Sequence, residues 1–142
     1  MMEILILTAA GIYIAYELGK KQKLDLDFEI IKLDVTKLTT PKIILKIISN
    51  SDNTVKIDNG YIYIYFYHNN KKMLLATNKQ KIKKELQPKE IIIFETELTI
   101  NIQNSITYFA NIKTIDTFEV SFDFDVNFKQ NSIKKTFLIK NK

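Results

Sequence analysis

The sequence predicts a mainly β protein: an antiparallel β-sandwich of about seven strands with one short helix, preceded by an N-terminal hydrophobic helix. Three observations carry this. Apolar and polar residues alternate with a period of two through most of the chain after residue 23. Turn-forming clusters of Asn, Asp, Ser and Pro punctuate the alternation every ~8–12 residues. Ahead of it, Ile4 to Tyr16 is an uncharged, almost wholly apolar run that ends at Glu17, Lys20, Lys21 and Lys23. The expected division is a hydrophobic helix over residues 1–23 and a β domain over residues 24–142.

The apolar run is read as a helix embedded in a membrane or in a larger assembly, through Ile4, Leu5, Ile6, Leu7, Ile12, Tyr13, Ile14 and Tyr16. At ~1.5 Å per residue it covers roughly 20 Å, short of the ~30 Å hydrocarbon core. Spanning would need Glu3 at one interface and snorkelling lysines at the other, with Tyr13 and Tyr16 in the interfacial belt. The alternatives are a helix buried against protein and a cleaved signal. The latter lacks a basic leading segment and a small-residue cleavage site. The lysines after the run favour a cytoplasmic or interior position for the domain.

Next, Leu24, Leu26, Phe28 and Ile30 alternate with Asp25, Asp27 and Glu29, and a bulge at Ile30–Ile31 restarts the pattern at Leu33 and Val35. After Pro41, the segment around Ile43, Leu45 and Ile47 is a second strand, closed by Asn50-Ser51-Asp52-Asn53. A third begins at Val55 and Ile57, breaks at Asp58-Asn59-Gly60, and continues with Ile62, Ile64 and Phe66 against Tyr61, Tyr63, Tyr65 and Tyr67. His68 to Lys71 turns the chain into Met73–Leu75. Ile82 marks a short edge segment, and Ile91–Ile100 is a strong strand after Pro88. Ile102, Ile106, Phe109 (with Tyr108), Ile112 and Ile115 recur at helical spacing, with Asn101 or Asn104 as cap. Phe118 to Phe128 is the cleanest alternation, and Gln130-Asn131 turns it into a last strand through Ile133, Phe137 and Ile139.

Composition removes several function classes. With no cysteine there is no disulfide, no zinc-thiolate site and no lipoprotein anchor. All 21 basic residues are lysine, in a chain rich in Ile and Asn with a net charge of +5. Lacking arginine, it lacks the commonest device for reading guanine and phosphate, so no specific nucleic-acid partner is expected. Three glycines leave no phosphate-cradling loop. The lysine clusters at 79–84 and at Lys134–Lys135 read as solvated faces or loops.

The strand ending in Ile48-Ser49-Asn50-Ser51-Asp52-Asn53, the strand pair from Val55 to Ala76, the Leu86–Ile100 strand, the short helix and the closing Phe118–Phe137 hairpin together resemble the late-embryogenesis-abundant type 2 (water-stress and hypersensitive-response) domain over about residues 26–140. The chain departs from that pattern in lacking Asn-Pro after Ser49 and the usual glycines of the final hairpin. The resemblance implies an immunoglobulin-like sandwich without enzymatic activity, used as a binding, protective or structural module. With an N-terminal apolar helix, such a protein also looks like a minor virion or envelope component from AT-rich bacteria and their viruses.

No catalytic, metal or cofactor-binding residues are assigned. The lone His68 would have to serve every nucleophile in the chain, and reads as an exposed turn residue. Glu119, Asp123 and Asp125 share a strand face at ~7 Å spacing, which could hold calcium or act as an acid/base pair but fits the wet face of a sheet. The candidate interface is the row Tyr61, Tyr63, Tyr65 and Tyr67, since an aromatic stripe on an outer face matches the enrichment of Tyr at protein contacts. The expected function is a non-enzymatic, membrane-anchored or assembly-embedded module, acting on membrane or virion proteins through the helix and on protein partners or its own copies. A stress-protective or hydrophobic-ligand-binding protein is the alternative.

Overall fold

Alternating apolar residues do make the body of the protein from strands, but the strands close into a barrel. The computed structural model describes residues 3–8, 11–18, 25–37 and 39–140, with the backbone alone at Lys140. Leu24 and the cluster Lys20, Lys21 and Lys23 lie outside the described residues. In chain order the elements are β1 (Glu3–Thr8), β2 (Gly11–Leu18), β3 (Leu26–Val35), β4 (Lys42–Ser49), β5 (Val55–His68), β6 (Lys71–Asn78), β7 (Ile82–Leu86), β8 (Ile91–Ile100), α1 (Ile102–Ala110), β9 (Thr117–Val126) and β10 (Lys129–Lys140). The sheet runs β6-β8-β4-β3-β1-β2-β10-β9-β5, and β5 pairs back onto β6. Nine strands therefore form a closed barrel, with β7 appended to β5.

This overturns the β-sandwich and its immunoglobulin-like form, and the cause is visible in β5. This 14-residue strand bends at Asp58–Gly60, where its registers with β7 and β9 both shift. Before the bend it pairs with β7, and after it with β6, which brings the two ends of the sheet together. Gly60 is required there. A Cβ at that position would lie 2.9 Å from Ile82 Cβ and 2.9 Å from the Ile82 carbonyl oxygen. Closure also removes the exposed edges that an open sheet must protect.

The N-terminal hydrophobic helix is a hairpin. β1 and β2 pair from Glu3↔Tyr16 to Thr8↔Gly11, and Gly11 has φ +141°, a conformation other residues rarely adopt. Ile4, Ile6 and Ala15 are buried inside the barrel with Tyr13 packed against them, while Leu5, Leu7, Ile12, Ile14 and Tyr16 point outward. The run is apolar throughout because the hairpin is apolar on both faces. A short apolar run has no period that separates helix from strand, and isoleucine favours the strand. No helix among the described residues is long and apolar enough to cross a membrane. The expected membrane localisation through a single N-terminal helix is thus corrected as well. Instead the hairpin supplies two staves of the barrel, β1 parallel to β3 and β2 antiparallel to β10.

Inside, Phe28 and Phe122 meet edge to face at 5.6 Å, and Phe66 and Phe118 hold the ring of Tyr108 at 5.4 and 5.7 Å. Tyr108 comes from α1, which stoppers one end of the barrel. Its cap is Asn101, whose side chain accepts from the Asn104 N–H at 2.9 Å. The apolar spacing foretold this helix but ran it to Ile115, past its end at Ala110, and put Ile102 and Ile106 on its inner face. Ser105 and Tyr108 are buried, whereas Ile102 and Ile106 are 76% and 67% exposed. Of two further details, one holds and one differs. The bulge at Ile30–Ile31 is present, but the last hairpin turns at Asn127–Phe128 rather than Gln130–Asn131.

Candidate functional site

The inward set of β5 is Ile62, Ile64 and Phe66, each 1% exposed or less. Strand alternation then puts Tyr61, Tyr63, Tyr65 and Tyr67 on the outer surface. Successive rings lie 6.4 Å (Tyr61–Tyr63) and 6.3 Å (Tyr63–Tyr65) apart, tilted by 31° and 24°. The spacing is that of alternate residues on one strand, so the backbone itself sets the stack. Tyr61 is 37% exposed and the other three are half-buried.

A row of polar side chains from β9 runs beside the rings, with Glu119 opposite Tyr65, Ser121 opposite Tyr63 and Asp123 opposite Tyr61. On the other side, β6 places Lys72 opposite Tyr67. The Lys72 ammonium sits 4.5 Å from the centre of the Tyr65 ring and 2.9 Å from Glu119 Oε2. Its hydrogen bond to Glu119 holds its pKa above the ordinary lysine value. Tyr67 donates to Glu119 Oε1 at 3.5 Å. Burial against its neighbours, with the Asp123 carboxylate next in weight, raises the pKa of Tyr63.

The carboxylates of this face do not converge. Asp123 Oδ1 accepts from Ser132 at 2.6 Å and Ser121 at 3.0 Å, and Asp125 Oδ2 accepts from Asn59 at 2.9 Å. With Glu119 turned to Lys72, the three acids expected on one face have three separate sets of partners. Among the described residues no group of three or more His, Asp or Glu side chains could hold a metal ion. His68 ends β5 and lies 3.3 Å from Asn69 Nδ2.

A second region was missed in the sequence. β1 covers β3 only from Lys32 to Val35, and β2 covers β10 only from Thr136 to Lys140. Among the described residues, therefore, no strand lies between Leu26–Ile30 and Lys129–Lys135. Lys135 bridges this seam. Its Nζ donates to the Phe28 carbonyl at 2.7 Å, contacts Asp27 Oδ1 at 2.9 Å and lies 3.9 Å from Glu17 Oε1. Asp27 Oδ1 also accepts the Phe28 N–H at 2.8 Å. Lys135 is buried, contrary to the solvated reading of Lys134–Lys135. The available signal was its phase, since it falls in the inward series Ile133, Phe137 and Ile139.

Beyond Lys135, the end of the barrel opposite α1 opens as a groove of about 560 Å³. Leu26, Val55, Phe124 and Ile133 line it along with Ser51, Asn53, Asn127 and Asn131. A void of about 10 Å³ among Ile4, Ile6, Ile64 and Phe137 has room for one water at most.

No protein-family model matches the chain, and no curated protein matches it. It is similar to a solved structure described as a protein from Archaeoglobus fulgidus, at 13% identity and a TM-score of 0.44, covering 84% of this chain and 98% of that one. None of these findings bears on the late-embryogenesis-abundant type 2 resemblance.

Proposed function

We propose that this barrel is a non-enzymatic interaction module that docks a protein partner on the outer face of β5. The observation that carries the reading is the stack of Tyr61, Tyr63 and Tyr65, held in line by one strand and partly open to solvent. Tyrosine gives a large contact area with little side-chain entropy to lose, which is why it is enriched at protein interfaces. The rest of the face supports docking over chemistry, since its carboxylates are separated and the one histidine, at the end of β5, contacts Asn69. Replacing Tyr63 and Tyr65 together by serine tests this. A photo-crosslinker at position 61 is expected to give a discrete adduct in cells that the double variant loses while its circular dichroism spectrum is unchanged. An adduct pattern identical in both proteins would sink the reading.

A second reading, a protein that binds an amphiphilic small ligand, is favoured by the 560 Å³ groove with apolar and polar walls. It requires an apolar fluorescent probe to bind the full chain and to lose affinity in Phe124→Ala.

A further inference from the structure

Resting on the docking role of the β5 face, we propose that the partner presents a lysine or arginine side chain, which seats over Tyr63 and Tyr61 against Asp123. The face already contains one such seat with its cation in place. Lys72 lies over the Tyr65 ring and pairs with Glu119, so one ammonium is met by an aromatic face and a carboxylate from the adjacent strand. Two same-face steps away the same elements recur: Tyr61 stacked 6.4 Å from Tyr63, and Asp123 directly across from Tyr61 on β9. Among the described residues no ammonium lies within 4.0 Å of the carboxylate of Asp123 or Asp125.

Ser121 and Ser132 both donate to Asp123 Oδ1, which fixes the carboxylate on the strand next to the rings. Asn59 holds Asp125 in the same way. A rigid anion next to a stacked aromatic pair complements a cation through both its charge and the ring quadrupole. The whole-chain charge of +5 works against this, because at long range the protein repels cationic partners. Recognition must therefore be local, which the paired ring and carboxylate provide. Arginine suits the seat best, since its planar guanidinium can stack on the ring while its edge meets the carboxylate.

The test uses the full chain and a tetra-arginine peptide, with tetra-glutamate as control, followed by NMR of ring-labelled tyrosine. Tetra-arginine is expected to shift the Tyr61 and Tyr63 resonances, in a salt-dependent way, and tetra-glutamate to leave them unmoved. Asp123→Asn combined with Asp125→Asn should weaken the peptide at least about tenfold, and Lys72→Met should strengthen it by freeing the Tyr65–Glu119 seat. Unmoved rings, or equal affinity in the Asn double variant, would overturn the proposal. The two readings fail separately: if Tyr63→Ser with Tyr65→Ser abolishes the cellular adduct but tetra-arginine does not compete with it, the face docks a partner without a cation and this proposal is overturned, whereas an adduct that persists in that double variant overturns the docking role. A dimer that forms with rising concentration and is lost in the Asn double variant would assign the cation to a second copy of this chain, overturning the choice of a separate partner.

Discussion

The ammonium of Lys135 donates a 2.7 Å hydrogen bond to the backbone carbonyl of Phe28, a residue 107 positions earlier in the chain. This bond joins β10 to β3 where no described strand lies between them. The Asp27 carboxylate takes up both the ammonium and the Phe28 N–H, so both backbone groups of Phe28 are satisfied by side chains. A side-chain staple thus does at one end of the barrel what a strand ladder does elsewhere. Phe28 also gives the ammonium an aromatic neighbour, 5.0 Å from the ring centre.

Replacing Lys135 by Met keeps the volume but leaves Asp27 as a buried anion without its cation, and takes a cation from 3.9 Å away from the half-buried Glu17. The expected cost is about 3–5 kcal/mol of unfolding free energy, as for other broken buried pairs. Adding Asp27→Asn and Glu17→Gln should recover a substantial part of it, because the penalty comes from the stranded charges. Urea unfolding of the single and triple variants measures both. A single variant within 1 kcal/mol of wild type would mean that the staple contributes little.

The β1–β2 hairpin makes a prediction opposite to that of a membrane helix. Ile6 is 1% exposed and Ile12 is 67% exposed. Ile12→Lys should therefore stay within about 0.5 kcal/mol of wild type, whereas Ile6→Ala should lose about 2–5 kcal/mol. A buried apolar helix would penalise both positions alike, so equal losses in thermal unfolding would contradict the hairpin.

That pair of residues also marks where the sequence stops being legible. Strands β3 to β10 could be read because one face of each is wet, which gives a period of two. The hairpin carries apolar residues on both faces, and its period is erased. The alternation at Tyr61–Tyr67 placed the tyrosine row outward correctly, and the residues of the bend at Asp58–Gly60 were visible as an interruption. Closure was not, because it depends on which strand β5 meets on either side of that bend. Long-range pairing between β5 and β9, and between Lys135 and Asp27, leaves no local trace beyond a lysine in an apolar phase. The helix at Ile102–Ala110 shows the converse. Its period was read, but as far as Ile115 where the helix ends at Ala110, and within the series Tyr108, not Ile102 or Ile106, is the plug that fits the barrel end.

The turn between β9 and β10 holds Phe128 at φ +65° with its side chain fully exposed. An aromatic residue is strained in that left-handed conformation and has no apolar contact here to offset it. Phe128→Gly creates the Asn-Gly pair that two-residue hairpins favour. It should raise stability by up to about 1 kcal/mol, seen as a higher midpoint in urea with an unchanged slope. A lower midpoint would show that the ring makes a stabilising contact.

Tyr108 couples the stability of the fold to alkaline pH. Its phenol is buried between Phe66 and Phe118, and this burial, reinforced by nearby Tyr13, pushes its pKa above the ordinary value of 10. The folded protein keeps that proton at pH values where the unfolded chain has released it. The stability from the neutral phenol is therefore whole below about pH 10 and is lost as pH rises from there toward the folded-state value. Tyr63 shifts in the same direction, more weakly, because it is half-exposed. One such group steepens the fall of unfolding free energy by at most about 1.4 kcal/mol per pH unit. Tyr108→Phe keeps the ring in its socket and removes the ionisation. Its stability should fall less steeply between about pH 10 and 12 than that of the wild type, and absorbance at 295 nm should show one fewer tyrosine ionising together with unfolding. Equal slopes in the two proteins would mean that the phenol reaches solvent before the barrel opens.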